Sequence, residues 1–306
     1  MRLSARAYGR LVMVALFFIV AIIVTGASVR LSGSGLGCPT WPRCTGDELI
    51  DVSDPHRAVE QLNRLFTGAV VLGCGAAFGG AFLRRPYRRD LAWLGGMLVA
   101  GVFAQAIIGG IVVLLDLQWQ SVSLHFLASI ALVYGALELL RRAGEPEGRR
   151  RLVVDPPVRW AAEVVFAAAV ALLFVGTLVT AAGPHGGDAD VDRLSWPVDE
   201  AARAHGLAAW MVVSLTLVAL FVAWRSGVRE VFRRASLLLW LLVAQGAVGY
   251  VQYFNAVPPV LVGFHVFGAV CVFAAATRLR FASFAAAGDS GSTSMSRDAA
   301  VSGTQS

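Results

Sequence analysis

The sequence predicts an all-α integral membrane protein, with eight transmembrane helices built as two duplicated four-helix bundles and both termini cytoplasmic. Three observations carry that prediction. The 306-residue chain is 57% apolar with a mean hydropathy of +0.67, more apolar surface than a water-soluble globule can hide, so lipid must be its solvent. Eight separate stretches are each long enough to cross a bilayer core of about 30 Å, which takes roughly 20 apolar residues. The arginines, finally, gather in alternate connections between those stretches.

The stretches lie near 9–29, 58–82, 91–115, 121–140, 159–182, 202–224, 235–255 and 258–277. Arg2, Arg6 and Arg10 precede the first. Arg84, Arg85, Arg88 and Arg89 follow the second, Arg141, Arg142, Arg149, Arg150 and Arg151 the fourth, Arg225, Arg229, Arg233 and Arg234 the sixth, and Arg278 and Arg280 close the eighth. The intervening connections are on balance acidic or uncharged. Positive charge stays on the cytoplasmic side, so the loops at 30–57 and 183–201, and the short ones near 116–120 and 255–257, face outward from the cell's inner membrane. All 26 basic residues are arginine and the formal charge is +6. Scattered between apolar segments, they fit anchorage at anionic lipid headgroups and not nucleic-acid binding. The first stretch has the look of a signal peptide, with Gly26, Ala27 and Ser28 after it, but the internal repeat argues that it is retained. The expected division is an N-terminal half at 1–140, a cytoplasmic linker at 141–158, a C-terminal half at 159–282 and a polar, disordered tail at 283–306.

The repeat has a fixed offset of 140. Ala104-Gln105-Ala106-Ile107-Ile108-Gly109 resembles Ala244-Gln245-Gly246-Ala247-Val248-Gly249, and at the same offset His125 falls on His265, each twenty residues after its glutamine. Self-similarity of this kind marks a duplicated unit. Val24-Thr25-Gly26-Ala27 likewise resembles Val179-Thr180-Ala181-Ala182, and with small gaps His205 aligns with Asn63. The four positions sit on helices two, four, six and eight, which run in one direction, at a common depth of roughly 6–12 Å below the outer boundary. Imidazoles that face each other at one depth from like-running helices suit the axial positions of a haem iron. A separate hydrogen bond from each histidine to a neighbouring helix, and a proton relay, are the competing readings. Neither calls for matched depth.

Glu60, Asn63 and Arg64 share one helical face through spacings of three and four. Glu60 is either a plain partner of Arg64 or a carboxylate beside bound haem, available for proton transfer; the spacing leaves both open. Cys74 and Cys271 lie inside apolar stretches and read as packing residues. Cys38 and Cys44 lie in the outward loop as Cys-Pro-Thr-Trp-Pro-Arg-Cys, in an oxidising compartment, where a disulfide is favoured over free thiols. Two thiolates alone would leave zinc under-coordinated.

Taken together, residues 8 to 280 resemble the haem A synthases. The resemblance rests on Gly26 to Pro39, Trp41-Pro42-Arg43-Cys44, Glu60 with Asn63-Arg64, Gln105 to Gly110 leading to His125, Gly183-Pro184-His185, His205, and Gln245 to His265. It implies an N-terminal half that binds haem O as substrate and a C-terminal half that holds haem B as cofactor, with conversion of one porphyrin methyl to a formyl group by successive hydroxylations, giving haem A for terminal oxidases. On that resemblance His205 and His265 match the haem B iron ligands, His125 the ligand of the substrate haem iron, and Glu60 the catalytic carboxylate. Asn63 and Arg64 adjoin the substrate haem. Haem O, membrane lipid and the enzyme that makes haem O are the implied partners. Two departures stand out. Asn63 replaces a histidine found in many members, which leaves the substrate haem five-coordinate through His125, or with water or another residue opposite it, His56 first among them. The segment Gly186 to Trp196 contains no counterpart of the cysteine pair. The alternative function is a di-haem electron-transfer subunit of the cytochrome b type, which normally wants two complete histidine pairs stacked across the membrane. A repeated-half transporter leaves the histidines unexplained.

Overall fold

The computed structural model describes residues 2–148 and 150–286. Eight helices make up nearly all of it: α1 (Ala5–Leu31), α2 (Pro55–Leu83), α3 (Arg89–Leu114), α4 (Trp119–Gly144), α5 (Pro156–Ala182), α6 (Val198–Arg225), α7 (Arg229–Phe254) and α8 (Pro259–Phe281). Two short strands, β1 (Arg150–Leu152) and β2 (Phe284–Ala286), pair antiparallel. Every helix is long and apolar enough to cross a membrane. The chain is a multi-pass membrane protein.

The helices start where the local chemistry sets them. Ser4 Oγ accepts from the Ala7 amide at 3.2 Å at the head of α1, and Asp54 Oδ1 accepts from the His56 amide at 2.8 Å at the head of α2. Proline at the first helical position opens α2, α5 and α8, where its missing N–H costs nothing. At the arginine-bearing end several helices run past their apolar stretches. α7 begins six residues before the expected 235, because Glu230 binds Arg233 and Arg234 at 2.7 Å each and the arginine stems lie along apolar surface while their heads reach water. α4 likewise runs to Gly144, with Arg141 and Arg142 on Glu138 at 3.1 and 2.5 Å.

The expected linker at 141–158 is therefore largely helix and strand. The tail expected to be disordered from 283 begins with β2, whose three residue pairs carry no periodicity that a sequence can reveal; its remainder, 287–306, lies outside the described residues.

Helices α1 to α4 close into one ring, each against two neighbours, and α5 to α8 close into a second; α1 and α4 then lie against α8 and α5. Each ring has its own buried core, with Val12, Ile19, Val70, Leu98 and Val133 in the first and Val165, Val212, Leu238 and Leu279 in the second. Lipid tails are as apolar as leucine, so association in a membrane rests on close fit more than on exclusion of water. Gly95 shows the fit, since a Cβ there would stand 3.0 Å from Cα of Phe78. At the arginine-bearing end Arg280 joins three helices, donating to Glu163 of α5 and to the Tyr134 hydroxyl of α4 at 2.7 Å each.

The opposite end carries the loops at 32–54 and 183–197. The turns from α3 to α4 and from α7 to α8 share one backbone shape, with φ of 49° and 56° at Asp116 and Leu117 and 58° and 56° at Ala256 and Val257. The Gly35 amide donates to the Gly187 carbonyl at 2.8 Å, which ties the two loops together. His185 donates through Nε2 to the Val257 carbonyl at 2.7 Å, which ties the second loop to the α7–α8 turn.

Candidate functional site

His125, His205 and His265 stand six or seven residues beyond the first residues of α4, α6 and α8, and Asn63 eight beyond that of α2. That is a common depth of roughly 9–12 Å from the loop end. His125 and His265 are each fixed by two neighbours, and His205 by one. Gln105 donates to the His125 carbonyl at 3.0 Å and Gln245 to the His265 carbonyl at 2.7 Å, so the twenty-residue spacing read from the sequence is a helix-to-helix hydrogen bond in both bundles. A glycine faces each ring. A Cβ on Gly109, Gly176 or Gly249 would stand 3.3, 3.2 or 3.5 Å from Cε1 of His125, His205 or His265 respectively.

The rings of His205 and His265 face each other with centroids 6.1 Å apart. One metal ion between two imidazoles, with metal–nitrogen bonds of about 2 Å, spaces the ring centres by roughly 6 Å. Nδ1 of all three histidines is buried and without a partner, and among the described residues no hydrogen bond reaches either nitrogen of these rings. Separate bonds to neighbouring helices, the competing reading of the sequence, are not what the rings make. An unpaired buried polar atom in a native site calls for an explanation, and a haem held between His205 and His265 fits the donor set and its spacing.

Asn63 is engaged elsewhere. Its Oδ1 accepts from the Thr25 hydroxyl at 2.8 Å, and a Cβ on Gly26 would stand 3.9 Å from its Nδ2. Thr25 belongs to the repeated Val24–Ala27 segment, and nothing in the sequence pattern links it to Asn63. His56, the first alternative partner opposite His125, is exposed and its Nδ1 lies 2.9 Å from Ser34 Oγ.

Glu60 is 5% exposed and both its oxygens are used. Arg64 donates to Oε1 through Nε at 2.9 Å and Nη2 at 2.6 Å, while the Cys38 amide donates to Oε2 at 2.8 Å. Arg64 also donates to the carbonyls of Cys38 at 2.8 Å, Thr40 at 3.0 Å and Arg43 at 3.2 Å. Glu60 and Arg64 thus clamp the loop from Cys38 to Cys44 onto α2, and Cys38 is bonded to Cys44 by a disulfide. Trp41, within that loop, covers Gly110 of α3, where a Cβ would come within 2.5 Å of the indole. Gly110 adjoins Gly109, the residue against the His125 ring, so the clamped loop packs on α3 at the level of the first bundle's histidine.

Residues 9–61, from α1 through this loop to Gln61, match the model of the COX15-CtaA family, described as cytochrome oxidase assembly protein. The match covers the first helix, the loop that follows it and the start of α2. It is 32% identical over 123 residues to a haem A synthase of Geobacillus kaustophilus, covering 39% of this chain and 37% of that protein. It is 29% identical over 164 residues to a haem A synthase of Lysinibacillus sphaericus, covering 52% and 53%. A protohaem IX farnesyltransferase of Chloroflexus aurantiacus matches at 27% identity over 139 residues, 45% of this chain and 23% of that one. The chain thus spans from about a quarter to about half the length of these relatives.

The disulfide closes a short loop, with a sequence separation of six, so its loss is expected to cost about 2 kcal/mol of stability. Alkylation of protein from unreduced membranes is expected to leave Cys38 and Cys44 unlabelled. Serine at both positions should lower activity more than the melting temperature, because the Arg64 bonds still hold the loop near α2. Labelling of both thiols before reduction would refute the bond.

Proposed function

We propose that this protein is a haem A synthase, an oxidoreductase that turns the methyl group of haem O into a formyl group by successive hydroxylations and loss of water. The pairing of His205 with His265 at haem-ligand spacing carries the reading, supported by the match of residues 9–61 to the COX15-CtaA model and by the similarity to proteins named haem A synthase. His205 and His265 hold haem B. Bound there, haem B supplies iron redox chemistry; everything else falls to the chain's own groups. His125 binds the iron of the substrate haem in the first bundle, and the Asn63 amide, tied to Thr25, leaves the opposite face open. Glu60 is the carboxylate that serves proton transfer, and Arg64 holds it in place. Such a half-open site suits a substrate that must enter and leave, whereas two imidazoles suit a resident cofactor.

The cytochrome b reading loses its second ligand pair at Asn63. The two bundles are a duplicated unit, on the strength of the matched Gln–His bonds and the matched turns. The arginine-bearing end, with both termini, faces the cytoplasm by the positive-inside rule, which puts the haem sites near the outer face of the cell's inner membrane. Haem O is the substrate, and the enzyme that makes it is the partner. The similarity to a protein named protohaem IX farnesyltransferase is what supports that partnership.

The test is to express this chain beside a source of haem O, extract the haem and resolve it by mass. A species with formyl in place of methyl is expected. Unchanged haem O, in cells where the protein is present in the membrane, would overturn the reading.

A further inference from the structure

At the loop end, in the seam between the two bundles, a pocket is lined by Arg30 from the last turn of α1, Trp119 and Ser123 from the start of α4, Thr177 and Thr180 from the end of α5, and Arg193 from the loop at 183–197. Two guanidinium groups on one pocket repel each other unless something negative lies between them. Arg193 is held from behind, donating to the carbonyls of Gly183 at 2.7 Å and Pro184 at 2.6 Å. Arg30 is partly buried and, among the described residues, has no hydrogen-bond or ion-pair partner. The hydroxyls of Ser123 and Thr180 are likewise without one. Asp192 also lines the pocket but is exposed at its rim, so the lining keeps a net positive charge.

The loop is shaped around both arginines. A Cβ on Gly186 would fall 2.5 Å from Cζ of Arg193, and one on Gly187 would fall 3.2 Å from Cγ of Arg30. Gly187 also has φ of +111°, a backbone conformation that a side chain would strain. Two adjacent glycines thus make room for two arginines that do not pair with acids. A guanidinium withdrawn from water without a partner is unfavourable, and its planar fork matches a carboxylate with two parallel hydrogen bonds.

The pocket's position says which carboxylate. Ser123 is two residues toward the loop end from His125 on α4, and Thr177 follows Gly176, the residue against the His205 ring. The pocket therefore lies just to the loop side of the histidine level. Haem is a flat disc with two propionate carboxylates on one edge. We infer that Arg30 and Arg193, with the Ser123 and Thr180 hydroxyls, bind a propionate carboxylate of haem at the seam between the bundles. This rests on the haem reading above and adds the residues that recognise the acidic edge of the ring.

The experiment uses the full-length protein, purified without haem from a haem-deficient host, and titrates it with haem B and with haem B dimethyl ester, whose carboxylates are blocked. The unaltered protein is expected to bind the free acid at least ~10-fold tighter than the ester, in keeping with a charge-assisted hydrogen bond. Arg30→Gln should remove most of that preference while leaving binding of the ester unchanged. Should Arg30→Gln fail to fold, Arg193→Gln and Thr180→Val read out the same preference from other sides of the pocket, and Arg203→Gln, an exposed arginine of α6, serves as the control that retains it. Equal affinity for acid and ester in the unaltered protein would overturn this inference while leaving the haem reading intact. Absence of any haem binding would overturn the haem reading itself. Unchanged haem preference in Arg30→Gln, with loss of co-purifying anionic phospholipid, would overturn the inference in favour of a lipid phosphate.

Discussion

Alanine in place of His265 or His205 is expected to strip haem B from the purified protein, lowering its haem content at least ~10-fold in either variant, since a haem held by two axial imidazoles depends on both. The effect should come from lost ligation and not from lost folding. Gln245 bonds the backbone carbonyl of His265, so that link between α7 and α8 survives removal of the ring. His205 and His265 face each other at 6.1 Å, and neither imidazole braces another helix through a hydrogen bond among the described residues. His125→Ala is the control. It removes the same side chain at the same depth in the other bundle, and should keep haem B while losing affinity for haem O. Haem content by pyridine haemochrome and the low-spin optical spectrum are the measurements. A full low-spin spectrum in both His205→Ala and His265→Ala would refute the assignment.

Much of this arrangement was legible in the sequence because membrane proteins advertise it. Eight apolar stretches became eight helices, and α4 and α7 run past their apolar stretches where arginine and glutamate pairs such as Glu230 with Arg233 and Arg234 carry them. The offset of 140 was read from Gln105, Gln245, His125 and His265, and the structure turns the spacing within each pair into one hydrogen bond. The same offset relates Asp116-Leu117 to Ala256-Val257, a pair of turns with no sequence likeness, because left-handed backbone at those positions is set by the helix-to-helix connection and not by residue type. Asn63 was visible as a departure, but its bond to Thr25 depends on how α1 packs on α2. Arg30 and Arg193, 163 positions apart, meet only because the loops of the two bundles join through Gly35 and Gly187. The glycines behind the histidine rings were within view: Gly109 and Gly249 close the repeated motif. Gly176 belongs to no motif and needed the fold.

Glu60 is where the two readings of one residue separate most sharply. Its carboxylate is the centre of a clamp, with Arg64 on one oxygen and the Cys38 amide on the other, and removing one partner of a buried ion pair costs about 3–5 kcal/mol. A carboxylate that also passes protons contributes typically 10²- to 10⁴-fold to rate. Glu60→Gln changes both roles, since the amide must turn its NH2 either toward Arg64 or toward the Cys38 N–H. Arg64→Lys weakens the clamp while leaving the carboxylate in place. Its ammonium can meet Glu60 but cannot also fork to the carbonyls of Cys38, Thr40 and Arg43. The expected result is that Glu60→Gln retains haem B and loses haem A formation by at least ~100-fold, or stalls at the hydroxylated intermediate. Arg64→Lys should loosen the loop, seen as faster proteolysis between Cys38 and Cys44, yet keep a substantial share of product. Extracted haem resolved by mass gives the chemistry and limited proteolysis gives the clamp. If the two variants lose product in step with loop cleavage, Glu60 is an anchor of the disulfide loop and the proton must travel by another group.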